Sequence, residues 1–110
     1  MGDQTRFLGE FELMVLLAVA QLGDTARAVD VRGNIQDRAG RNVSRGSLYI
    51  TLERLEAKGY LTWRTEDPVD GRRGVPRRVF EVTTSGLEAL RVSHSAIANL
   101  SKGLEKLLSP

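Results

Sequence analysis

The residues best suited to chemistry in this 110-residue sequence are arginines and small hydroxyl side chains, and both point to a polyanion. Up to Asp24 the only base is Arg6, set against Asp3, Glu10, Glu12 and Asp24. Arg27, Arg32, Arg38, Arg41 and Arg45 then follow with only Asp30 and Asp37 among them, and Arg72, Arg73, Arg77 and Arg78 form a second cluster. Clustered arginines on a chain of formal net charge +2 mark candidate phosphate-binding surfaces rather than general basicity. Between Ser44 and Ile50 the types change: Ser44 can cap a helix, Arg45 adds a donor, and Gly46 and Ser47 leave the first turn thin enough for another surface to approach closely. In a helix that enters the major groove the N-terminal residues meet base edges, which makes Ser47, Tyr49 and Ile50 candidates for base readout, with Asn42 behind them. Ile50 suits a thymine methyl. Arg41, Ser44, Arg45, Arg72, Arg73 and Arg77 are the matching candidates for the phosphate backbone.

Other chemistries lack their residues. There is one histidine, no cysteine, and no carboxylate pair or phosphate loop placed for catalysis, so the chain reads as no enzyme and as needing no cofactor or metal. Gly71 to Gly74 is too short, and too basic in the middle, for a nucleotide loop. The cysteine-free composition suits a reducing cytoplasm, and the apolar run after Arg6 is interrupted by Glu10, Glu12 and Gln21, which argues against a membrane span or a secretory leader.

Elements that could hold these residues follow from the apolar spacing. Leu8 to Leu22 is apolar at nearly every position and predicts a helix buried all round, stopped at Gly23. A second helix is expected over Ala28 to Ala39, with Val29, Val31 and Ile35 inward and Gly40 at its end. A third starts after Ser44, turns Leu48, Leu52 and Leu55 inward and closes at Gly59, leaving Gly46, Ser47, Ile50 and Glu53 outward and Tyr49 to one flank. Two helices across a short glycine turn predict a helix-turn-helix. Tyr60 to Thr65 and Arg78 to Thr83 have strand composition, with Trp63 expected in the core, and the turn-rich stretch between them carries Arg72 and Arg73 as the tip of a hairpin wing. Thr84 or Ser85 would cap a last helix running from Gly86 to Leu108.

On that last helix Leu87, Leu90, Ile97, Leu104 and Leu108 alternate at spacings of three and four, with His94 and Ser101 completing the seam and Leu100 and Leu107 widening it. A stripe about 35 Å long at ~1.5 Å per residue is more than so small a domain can cover. It predicts a homodimer, with Phe11 and Val15 of the first helix contributing to the same interface. The fold class is therefore mainly α with a small β-hairpin: a winged helix-turn-helix over residues 1–83 and a dimerisation helix over residues 84–110.

Gly46, Ser47, Leu48 and Tyr49, followed by Leu52, Arg54, Leu55, Lys58, Gly59 and Tyr60, resemble the signature of PadR-family regulators. Gly74, Pro76, Arg77, Arg78, Phe80, Thr83, Gly86 and Leu90 are similar to that family's wing strand and the start of its dimerisation helix. Many members have proline after the tyrosine, where this chain has Ile50. The length resembles the short subfamily with a single C-terminal helix. The resemblance implies a homodimeric regulator of double-stranded DNA, usually a repressor on a pseudo-palindromic operator, with some relatives released by small aromatic effectors near the dimer interface. The competing readings are a winged helix used only for protein contact and a small-molecule sensor whose DNA binding is secondary.

Overall fold

The structure, a computed structural model, describes residues 7–66 and 76–110. Helix α1 spans Glu10–Leu22, α2 Ala28–Ala39, α3 Arg45–Ala57 and α4 Thr84–Ser101, and a single turn of helix, α5, spans Glu105–Leu108. Strands β1 (Leu61–Glu66) and β2 (Arg77–Val82) pair antiparallel, with Leu61 opposite Val82 and Glu66 opposite Arg77. On the outer side of β2 the Phe80 amide donates to the Ala26 carbonyl at 2.8 Å and so fastens the hairpin to the segment that enters α2.

One core joins these elements. Val15, Leu16 and Val19 of α1, Val31 and Ile35 of α2, and Leu48, Leu52 and Leu55 of α3 meet Leu61 and Phe80 of the hairpin and Ala89 and Leu90 of α4. Local chemistry delimits the helices that form the helix-turn-helix. Gly40 ends α2 in the left-handed conformation (φ 66°), and the Ser44 hydroxyl accepts the Ser47 amide at 3.1 Å to start α3. Between them, Val43 is buried, and its carbonyl accepts from Arg32 Nε at 2.6 Å, which holds the turn closed.

A buried carboxylate ties α1 to α3. Glu12, only 8% exposed, accepts the Gly9 amide at the start of its own helix and Lys58 Nζ at 2.8 Å from the end of α3. Burial pushes its carboxyl up, but the bonds from Lys58 and Gly9, with the charges of Lys58 and Arg54, outweigh burial and hold it below the ordinary carboxylate value.

Several expectations are corrected. α1 is not buried all round, because Leu17, Ala20 and Gln21 face solvent while Phe11, Leu13 and Met14 are half-buried. Val29 is 65% exposed, not inward, since it lies about 200° around the helix from Val31 at ~100° per residue. The cap of α4 is Thr83, one residue earlier than expected. Most consequentially, the last helix is not continuous: α4 ends at Ser101, Gly103 takes φ 87°, and Leu104 stands as the cap of α5. Its straight stripe is therefore about 27 Å long at ~1.5 Å per residue, and Leu104 and Leu108 lie beyond a bend rather than on the seam.

The start of α4 is tied to the start of the hairpin. Thr83 donates its amide to the Tyr60 carbonyl (3.0 Å) and its hydroxyl to the Gly59 carbonyl (2.6 Å), while the same hydroxyl accepts the Gly86 amide (3.0 Å). Gly86 packs so closely here that a Cβ would stand 2.2 Å from the Tyr60 carbonyl oxygen. Gly33, inside α2, has nothing within 4 Å of an added Cβ. In urea unfolding at fixed protein concentration, Gly86→Ala should therefore cost at least about 2 kcal/mol, in the range of overpacking. Gly33→Ala should gain about 0.5–1 kcal/mol, the helix-propensity difference. Equal responses at the two positions would contradict the packing described.

Candidate nucleic-acid interface

The outer face of α3 is built by subtraction. Leu48, Thr51, Leu52 and Leu55 are buried and fix the helix rotation, which leaves Gly46, Ser47, Tyr49, Ile50 and Glu53 exposed. Burial of Thr51 departs from the leucine-only pattern read in the sequence, and it accounts for the inward face being one residue wider than expected. At Gly46 nothing lies within 4 Å of an added Cβ, so the chain's own packing leaves room there for a larger residue. Ser44 and Ser47 share a hydroxyl-hydroxyl bond of 2.9 Å at the helix start, and Tyr49 (47% exposed) and Ile50 (58% exposed) project just beyond.

The arginines divide by what already engages them. Arg45, beside Ser44, and Arg77, at the base of the wing on β2, are exposed, and among the described residues no hydrogen bond or ion pair holds either side chain. Arg41 differs from expectation: it donates to Glu10 at 2.9 Å and lies 5.0 Å over the Phe11 ring, so its guanidinium is directed onto α1. Asn42, next to it, is exposed. Arg78 stacks 4.3 Å from the Trp63 ring centre, and Trp63 Nε1 donates to Glu56 of α3 at 2.9 Å. Trp63 is thus half-buried, packed against the core rather than within it, as a bracket between the hairpin and α3. Arg72 and Arg73 lie outside the described residues.

Sequence reasoning placed Arg27 in a phosphate-facing cluster and missed its structural partner. The Arg27 guanidinium donates through Nε and Nη2 to the two carboxylate oxygens of Glu66 at 2.8 and 2.9 Å, and through Nη1 to Asp30 at 3.2 Å. The fork-to-fork geometry joins the last residue of β1 to the cap of α2, across 39 residues of chain. Only the Arg27 to Asp30 spacing of three is visible in the sequence; nothing local announces a partner so distant.

The candidate dimer residues also divide. Leu87, Ile97 and Leu100 are exposed along α4, and Leu104 and Leu108 are exposed after the bend. Val15 and Leu90 are buried in the chain's own core, so neither side chain remains for a partner, and Phe11 is half-buried against that core. His94 is exposed on α4. Among the described residues no cluster of metal-ligating side chains occurs, and no helix is long and apolar enough to cross a membrane.

The arrangement of a capped helix N-terminus, a short glycine turn and a flanking hairpin is that of a winged helix-turn-helix, and comparison with known proteins agrees. A Mycobacterium tuberculosis protein described as a transcriptional regulator is 43% identical over 65 residues; the match takes 59% of this chain and spans 57% of that protein's length. Among solved structures, a PadR family transcription regulator from Clostridium difficile R20291 superposes with a TM-score of 0.73 at 15% identity, covering 92% of this chain and all of that one. A PadR family regulator from Eggerthella lenta gives a TM-score of 0.68 at 26% identity, over 91% of this chain and 87% of the other. The family described as transcriptional regulator PadR-like matches residues 16–92, from the middle of α1 to the third turn of α4. With most of its length inside that match, this chain belongs to the PadR-like family of transcriptional regulators.

Proposed function

We propose that this regulator acts as a homodimer, binds a pseudo-palindromic operator and represses by occupying it. The observation that carries the reading is the first two turns of α3, where Gly46, Ser47, Tyr49 and Ile50 stand exposed beside the unengaged Arg45 and Arg77. Donors for phosphate flank residues suited to base edges, which is the division of labour a sequence-specific duplex reader needs. A winged helix used only for protein contact has no need of arginines on both the recognition helix and the wing. The exposed Leu87, Ile97 and Leu100 on α4 supply apolar surface for a second copy, with Leu104 and Leu108 carried on the bend. Repression by occupancy requires no surface beyond these two. A small aromatic effector would find its apolar contact beside the exposed Phe7, in an open cleft of about 470 Å³ bordered by Arg91, Val92 and Ala96 of α4.

Phosphate and base contacts leave different marks on binding, so a salt titration of operator and scrambled duplex tests the reading. A duplex selected from random sequence should be an inverted repeat with half-sites about 34 Å apart, or a multiple of that. Arg77→Ala should weaken binding to every duplex and flatten the slope of log K against log salt by about 0.9, the value for one phosphate no longer neutralised, and Arg72→Ala and Arg73→Ala should do the same. Ser47→Ala or Tyr49→Ala should leave the slope in place and reduce operator preference by about 1–3 kcal/mol. A direct repeat, or no enriched sequence, would contradict the proposal.

The Arg27 to Glu66 tether makes a second, less intuitive expectation. Glu66 is a carboxylate on the wing, and removing a negative charge near a polyanion ordinarily strengthens binding. If the tether fixes the wing against α2, removing the fork has the opposite effect. Glu66→Gln should weaken operator binding about fivefold, the order of 1 kcal/mol for one charged, hydrogen-bonded pair, and an electrophoretic shift series at constant salt would measure it. Stronger binding by the variant would mean that the wing needs no such anchor.

A further inference from the structure

Val29 is the second residue of α2 and 65% exposed, an unexpected place for a branched apolar side chain. Single exposed apolar residues are ordinary on protein surfaces, so exposure alone decides nothing. Its surroundings do. Ala28, Val29 and Tyr49 together border two clefts: one of about 250 Å³ also lined by Arg32 and Arg45, and one of about 720 Å³ also lined by Arg77 and Arg78, with Glu53 as the acidic residue among them. Neither cleft is bordered by α1 or α4, so the residue lies away from the surface offered to a second copy. An apolar side chain bordering two clefts that each hold an unengaged arginine, Arg45 in one and Arg77 in the other, is placed for a partner that is anionic outside and apolar within. Duplex DNA is such a partner.

We propose that Val29 is a specificity-determining residue that, with Tyr49, seats the C5-methyl group of a thymine in the major groove. The inference rests on the proposed duplex reading and names one further element that takes part in it, the start of α2. The valine side chain has no donor for a phosphate, and its favourable contacts with a duplex are apolar ones; in the major groove the thymine methyl is the apolar mark that distinguishes one base pair from the others. Arg45 and Arg77 on either side hold the backbone, while Val29 adds sequence information the backbone cannot carry.

The test removes the methyl from the DNA and the apolar surface from the protein. Each thymine of the selected operator is replaced in turn by deoxyuridine, which keeps pairing and charge and lacks the methyl, and the duplexes are titrated with the wild-type protein and with Val29→Ser, which removes both methyl groups of the side chain. Because Val29 is exposed, that substitution leaves the core intact. At one thymine per half-site the wild type should bind the deoxyuridine duplex about fourfold more weakly, the effect of one buried methyl group, and Val29→Ser should lose most of that difference. If every deoxyuridine effect is the same in both proteins, Val29 reads no methyl and the inference is overturned, as it is if Val29→Ser weakens operator and scrambled duplex equally. A wild-type protein that prefers no duplex sequence would overturn the proposed function and this inference with it; the first two outcomes leave that function standing.

Discussion

The contact on which the architecture depends is the one between Gly86 and the Tyr60 carbonyl. Because no side chain fits there, α4 can approach the hairpin closely enough for Thr83 to bond both Gly59 and Tyr60 while capping its own helix. One residue thereby fixes the end of β2, the beginning of β1 and the direction in which α4 leaves the domain. Gly59 contributes the reversal itself, with φ 81° just past the end of α3. Helix α3, the hairpin and α4, the helix proposed to meet a second copy, thus radiate from a junction only a few residues wide. The hairpin and α4 are joined there by one main-chain hydrogen bond and by the two that the Thr83 hydroxyl makes.

Around that junction, charged pairs set the remaining angles, each across a stretch of chain. Glu12 with Lys58 ties the start of α1 to the end of α3, Arg27 with Glu66 ties α2 to the wing, and Trp63 bridges Glu56 and Arg78. These groups lie where the hydrophobic core thins out toward the surface. The core itself, running from Val15 to Leu90, fixes which faces meet but is non-directional, whereas forked and capped hydrogen bonds select one geometry among the packings that would bury similar area. Arginines that make such bonds are not also available to phosphate. That is why, among the described arginines, Arg45 and Arg77 rather than Arg27, Arg41 or Arg78 carry proposed backbone contacts.

Much of this was legible in the sequence, and the exceptions have physical causes. The helix-turn-helix could be read because its signals are local: Gly40 and Ser44 punctuate it, and Leu48, Leu52 and Leu55 give the period. The hairpin was found with its ends one residue out, as expected where strand identity rests on composition. The end of α4 was overextended because its apolar spacing suggests a seam that the backbone interrupts: Ile97, Leu104 and Leu108 keep heptad spacing across Gly103, and periodicity does not register one residue with positive φ. Spacing alone assigns Val15 and Leu90 to a partner because it cannot distinguish a stripe facing a second copy from one facing the chain's own core. Treating the three apolar residues of α2 as one face turns Val29 inward. Gly86 stood out only as part of a family pattern; its reason, a carbonyl oxygen where a side chain would be, exists only in three dimensions.

The central claim is that α4 holds two recognition helices at a fixed separation in the proposed dimer. The chain has no cysteine, so a single nitroxide can be placed on the exposed Glu53 of α3 through Glu53→Cys, and the distance between the two labels measured by pulsed electron-electron resonance. The account predicts one narrow distribution, on the order of the 34 Å that separates successive major-groove faces, already present without DNA. An unmodulated signal at micromolar protein, or a distribution spread across the whole accessible range, would contradict it.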